Sequence, residues 1–160
     1  MSTSLRIGVV GAGLMGADHI DRINNRTSRA HVSAIIEPDQ NRAVQAQQSA
    51  PNAEIFPRIE EAISAEAIDA VLIAVPGPFH AAVLLPALKA GLPILCEKPL
   101  TPDPESSLKI IEEEQKLDRP HIQVGFMRRF DPEYRSLRAL VESKESGDLV
   151  MLRAVHRNPS

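Results

Sequence analysis

Apolar residues along this chain come in short dense runs, set apart by longer stretches of mixed polarity, and the alternation holds nearly from end to end. The runs 7–10, 31–36, 53–56, 70–75, 94–96 and 121–124 each read as a strand. A run as continuous as 70–75 suits a strand covered on both faces of a parallel sheet. The intervening segments predict helices over 14–24, 41–49, 59–67, 79–90 and 104–117. The last of these opens with Asp103 as N-cap, Pro104 and Glu105, and Gly91 is placed to end the one before it. Strands and helices in strict alternation predict an α/β fold, a doubly wound parallel sheet with right-handed crossovers. Beyond residue 124 the start signal repeats as Asp131-Pro132-Glu133, predicting a helix to about 143, and the apolar run 149–155 reads as one more strand. The expected organisation is one domain over 1–124, then over 125–160 a hinge, a helix and the first strand of a second domain cut short.

The first strand runs straight into Gly11-Ala12-Gly13-Leu14-Met15-Gly16. Gly11 permits the tight turn, Gly13 lets the backbone approach a diphosphate, and Gly16 lets the helix lie close on the strand. Leu14 and Met15 open that helix, whose free N–H groups and positive dipole end attract a pyrophosphate. The second strand ends at Glu37, 21 residues after Gly16, close to the spacing of roughly 20 at which a carboxylate meets the ribose in a Rossmann-type domain. Such a carboxylate accepts hydrogen bonds from both ribose hydroxyls and repels a 2′-phosphate, so NAD is expected over NADP. Arg42 on the next helix is open to three readings: a neutraliser of phosphate, a platform for adenine, or an exposed arginine with no ligand. Val75 and Pro76 lead into the Pro76-Gly77-Pro78 loop at the carboxyl end of a strand, where open α/β sheets bind their ligands. His80 follows that loop, either as a histidine without a task or as a contact to the cofactor.

Lys98 is the sharpest single candidate for chemistry. It follows the apolar strand 94–96 directly, stands between Glu97 and Pro99, and lies on the ligand edge of the sheet. An ammonium there can donate to a substrate hydroxyl, and partial desolvation or a neighbouring cationic nicotinamide lowers its pKa towards proton traffic. Glu97 is placed to orient it and to meet the cofactor. A cis Lys98–Pro99 bond would fix the direction of the lysine.

Composition narrows the classes further. A net charge of -3 from 18 basic and 21 acidic residues leaves no surplus for a phosphate backbone, so nucleic acid is not an expected partner. No apolar run nears the roughly 20 residues of a membrane span, and residues 1–5 lack the order of a signal peptide, which predicts a cytoplasmic protein. The single cysteine, Cys96, reads as a small core residue, with a thiol role as the other reading. Five histidines and one cysteine show no metal-ligand spacing, so no metal is expected. His19 on the first helix reads as structural, and the acidic stretch 112–114 as a solvated face.

Taken together, the glycine turn, Glu37, Glu97-Lys98-Pro99, Gly125-Phe126-Met127-Arg128-Arg129-Phe130 and His156-Arg157-Asn158-Pro159 resemble the glucose-fructose oxidoreductase and inositol dehydrogenase family. The resemblance covers nearly the whole chain. It implies an N-terminal Rossmann domain followed by a larger α+β domain, a homo-oligomer that is commonly a tetramer, and oxidation of a secondary ring hydroxyl of a cyclic polyol such as inositol by hydride transfer to NAD. It also implies that Lys98 contacts substrate and nicotinamide, and that Arg128 and His156 line the polyol pocket. Without the resemblance, Arg128 and Arg129 read as a polar hinge. The family's proton acceptor is a histidine four residues after an aspartate in the second domain, and no such pair occurs in these 160 residues. The chain is therefore expected to bind cofactor without turnover. A non-catalytic dinucleotide-sensing module and a dehydrogenase of another sugar are the alternative functions.

Overall fold

In the computed structural model, strands β1 (Leu5–Val10), β2 (Ala30–Ile36), β3 (Glu54–Phe56), β4 (Ala70–Ile73), β5 (Ile94–Cys96) and β6 (Ile122–Val124) alternate with helices α1 (Leu14–Arg26), α2 (Gln40–Gln47), α3 (Ile59–Ser64), α4 (His80–Lys89) and α5 (Pro104–Glu114). The structure describes residues 4–145, 147–155 and 157. They fall into two units divided after Gly125.

The six strands of the first unit form one sheet in the order β3-β2-β1-β4-β5-β6, and every pairing is parallel. The chain winds outward from β1 to β3, then returns to β4 beside β1 and winds the other way. This Rossmann topology opens a crevice at the carboxyl ends of β1 and β4, the point where the order reverses. Successive residues of a strand face opposite sides of the sheet, and both sides are filled. Val9, Ile35 and Leu72 pack with Ile20 and Ala43 on one side. Val10, Ile36, Ile73 and Cys96 pack with Leu84 and Ile110 on the other. Fully burying each larger side chain of this kind contributes about 1.5–3 kcal/mol.

Several boundaries differ from the sequence expectation, each for a local reason. The strand expected over 70–75 ends at Ile73; Ala74 still donates to the Val10 carbonyl at 2.8 Å, and Pro76, with no N–H, then turns the chain out of the ladder. The helix expected over 59–67 ends at Ser64. There the Glu66 N–H reaches the Ile63 carbonyl and the Ala67 N–H the Ala62 carbonyl, a Schellman stop with Glu66 in the left-handed region at φ 50°. The same stop ends α4, with Gly91 at φ 68° in that place and the Leu92 N–H on the Ala87 carbonyl. The stretch 112–114 is more than a solvated face, because the Glu114 carboxylate accepts the N–H groups of His121 and Ile122 at 2.8 and 2.6 Å and so fixes the start of β6.

In the second unit, α6 (Pro132–Ser143) begins at Asp131, whose side chain accepts from the Glu133 N–H. The expected strand over 149–155 is not formed: no described residue there joins a ladder, and Val150 is 96% exposed. A strand requires a partner backbone, whereas a capped helix satisfies its own hydrogen bonds.

Candidate dinucleotide site

The glycine turn sits at the carboxyl end of β1 in the crevice. Gly11 has φ 92°, and a Cβ on it would lie 3.0 Å from the Ala74 backbone. A Cβ on Gly16 would lie 1.8 Å from the Gly11 carbonyl oxygen, so only glycine allows α1 to approach β1 this closely. Gly13 is different. Nothing lies within 4 Å of where its Cβ would be, and as the residue before α1 it leaves the first turn without a side-chain cap. Leu14 and Met15, which open α1, are 90% and 49% exposed. An uncapped helix start beside open space gives a diphosphate both a hydrogen-bonding end and room.

Glu37 ends β2 beside this turn and is only 5% exposed. Its Oε2 accepts the Ala12 N–H at 2.8 Å, while Oε1 accepts the Asp39 N–H at 3.1 Å and the Arg42 guanidinium at 3.0 Å. A carboxylate has about four acceptor positions, so these bonds leave room for one ligand hydroxyl rather than the two expected. Arg42, held on α2 by the Asp39 cap, is committed to Glu37 and lies 3.6 Å from the Asp39 carboxylate. Of its three readings, the structure adds a fourth: Arg42 is an ion-pair partner. Glu37, Arg42, Val75, Pro76 and Phe79 line a cleft of about 660 Å³ on this side of the crevice.

On the other side, Glu97 and Lys98 follow β5, and the Lys98–Pro99 peptide bond is cis. Lys98 is exposed, and its Nζ makes no hydrogen bond or ion pair among the described residues. The Glu97 Oε1 lies 2.9 Å from His19 Nε2, and its Oε2 accepts the Lys98 N–H at 3.3 Å. Cys96 is fully buried, and burial, followed by the nearby Glu97 charge, pushes its thiol up to about 12. This is a core residue, and the thiol reading falls.

His80 does not meet the expectation of a cofactor contact. It is 1% exposed, and its ring nitrogens face the carbonyls of Val75 at 2.8 Å and Leu100 at 3.0 Å. The ring ties the loop after β4 to the segment after Lys98 and presents no polar atom to a ligand. Arg128 belongs to the second unit, where it donates to Asp131 at 3.0 Å and lies 5.1 Å above the Tyr134 ring. His156 lies outside the described residues. Among the described residues no cluster of three or more His, Cys, Asp or Glu is arranged for a metal, and no helix is long and apolar enough to cross a membrane.

A model of the oxidoreductase family with an NAD-binding Rossmann fold matches residues 5–126. The chain belongs to this family. Within the family it is 76% identical over 160 residues to an inositol 2-dehydrogenase of Corynebacterium glutamicum, covering 100% of this chain and 48% of that protein. An inositol 2-dehydrogenase of Leifsonia xyli is 61% identical, with 98% of this chain and 46% of that protein covered. Among solved structures, a myo-inositol dehydrogenase from Lactobacillus casei in complex with NAD(H) and myo-inositol superposes with a TM-score of 0.87 at 34% identity, over 91% of this chain and 43% of that one. The chain spans about half the length of the curated relatives it matches. As a member of this family it is an NAD-binding domain, and the open helix start, the buried Glu37 and the cleft beside it fit that cofactor.

Proposed function

We propose that this chain is the NAD-binding portion of an enzyme that oxidises a secondary ring hydroxyl of inositol to a ketone. The observation that supports this most is Lys98, an exposed cation without a protein partner for its Nζ among the described residues, at the end of β5 and beside Glu97. Its side of the crevice is the one opposite the adenosine cleft, where a dinucleotide places its reactive ring. NAD, when bound, supplies the hydride acceptor. The start of α1 holds the diphosphate, and Glu37 holds one ribose hydroxyl. Glu37 disfavours a 2′-phosphate, because of the two arginines that line its cleft Arg42 is paired with Glu37 itself and Arg58 with Glu60. Lys98 donates a hydrogen bond to the substrate hydroxyl oxygen and stabilises negative charge as it develops there. Arg128 and His156 contact the polyol. The proton acceptor is a histidine outside these 160 residues, so they bind cofactor without turning over inositol. The complete protein acts in the cytoplasm as a homo-oligomer, tetrameric by family likeness, with no nucleic-acid partner.

The test is NADH formation from NAD and myo-inositol by a protein of the relatives' full length, against a panel of other polyols and sugars. Turnover with inositol that falls at least about a hundredfold in Lys98→Ala supports the proposal. Turnover with another sugar alone moves the substrate, and no turnover with any of them favours a sensing module.

A further inference from the structure

Nothing in the glycine turn or in the proposed chemistry calls for a histidine on α1, yet His19 reaches across the crevice to the β5 side. Its Nε2 lies 2.9 Å from Glu97 Oε1, and the two side chains are 22% and 21% exposed. The other Glu97 oxygen accepts the Lys98 N–H at 3.3 Å. Gly125 closes a third flank, since a Cβ there would lie 3.7 Å from the Glu97 carboxyl carbon and Oε1. A glutamate has three rotatable bonds, and a partly exposed one wanders among rotamers unless something holds it. Here one oxygen is held by α1 and the other by the backbone of the residue that matters.

We propose that His19 is a positioning residue: from the helix that receives the diphosphate, it fixes the Glu97 carboxylate and through it the nicotinamide-side geometry at Lys98. The inference rests on the NAD-binding reading of the crevice and adds a mechanical link between its two halves. The His19 ring does not touch the substrate. It sets the direction of a carboxylate that, with these two contacts made, keeps about two acceptor positions for a nicotinamide ribose hydroxyl. The two halves of the cofactor therefore respond differently to its loss.

The experiment compares NADH with ADP, which carries the adenosine and diphosphate but nothing of the nicotinamide half, as ligands of this 160-residue chain. His19→Leu is expected to weaken NADH roughly tenfold, the effect of one charge-assisted hydrogen bond, while ADP affinity changes less than about twofold. His19→Gln, which keeps an N–H donor, is expected to restore most of the NADH affinity. An unchanged ratio of NADH to ADP affinity in His19→Leu, a parallel loss of both, or a failure of His19→Gln to rescue overturns the proposal. Should His19→Leu not fold, the unmodified chain still decides: NADH must shift the His19 ring resonances further than ADP does, and equal shifts overturn the proposal. Binding of NADH without any response at His19 defeats this inference alone, whereas binding of neither nucleotide by the folded chain defeats the cofactor reading as well.

Discussion

Glu37 and Lys98 hold comparable places, each within two residues of the carboxyl end of a parallel strand, yet they are in opposite states. Glu37 is 5% exposed and held by Ala12, Asp39 and Arg42. Lys98 is exposed, and among the described residues only its backbone N–H is engaged. A buried carboxylate without partners would cost several kcal/mol, so the surroundings of Glu37 must be built before any ligand arrives. An exposed ammonium carries no such penalty and is free to wait. On the proposed reading, the adenosine half of the site is thus part of the fold, and the nicotinamide half is a set of groups held ready on its surface.

This contrast can be broken at several points. The largest difference lies within three consecutive residues, because Cys96 is sealed while Lys98 is open. A thiol raised from 9.0 to about 12 has on the order of a thousandfold less thiolate at neutral pH, so iodoacetamide should label Cys96 only once urea unfolds the chain. Rapid labelling of the folded protein would place β5 wrongly. Next, Glu37→Ala strands the Ala12 and Asp39 N–H groups and the Arg42 cation, and should lower the unfolding free energy by about 3 kcal/mol, read from urea denaturation. Glu37→Gln keeps an acceptor but removes the charge and releases Arg42. It should raise the ratio of NADPH to NADH affinity about tenfold, and an unaltered ratio would mean that Glu37 does not select the cofactor. Smallest is Lys98→Ala, expected to change stability by less than about 0.5 kcal/mol; a large loss would show that the lysine is structural after all.

What the sequence made legible follows from which signals are local. The Rossmann alternation, the glycine turn and the caps at Asp103 and Asp131 are written in adjacent residues, and the caps accept hydrogen bonds from the N–H groups of Ser106 and Glu133. The two Schellman stops show the limit well. Gly91 announces the end of α4, but Glu66 ends α3 in the same conformation with no glycine to mark it, and the helix was expected three residues too long. Likewise α6 forms from its own cap, while 149–155 has the strand composition and no partner among the described residues. In the candidate site, the places of Glu37 and Lys98 just past the ends of β2 and β5 are legible from spacing and apolar runs. The ties that decide their surroundings are not, because His19 and Glu97 are 78 residues apart in sequence, and His80 meets Leu100 across 20. A histidine after a ligand-edge loop looks the same in sequence whether it faces the ligand or holds the loop from beneath.

The most direct measurement is a titration of NADH into the folded 160-residue chain, followed by nicotinamide emission, since the chain has no tryptophan and a single tyrosine and adds little signal of its own. Saturable enhancement that ADP displaces is the predicted result. A folded chain that leaves NADH emission unchanged at every concentration would contradict it.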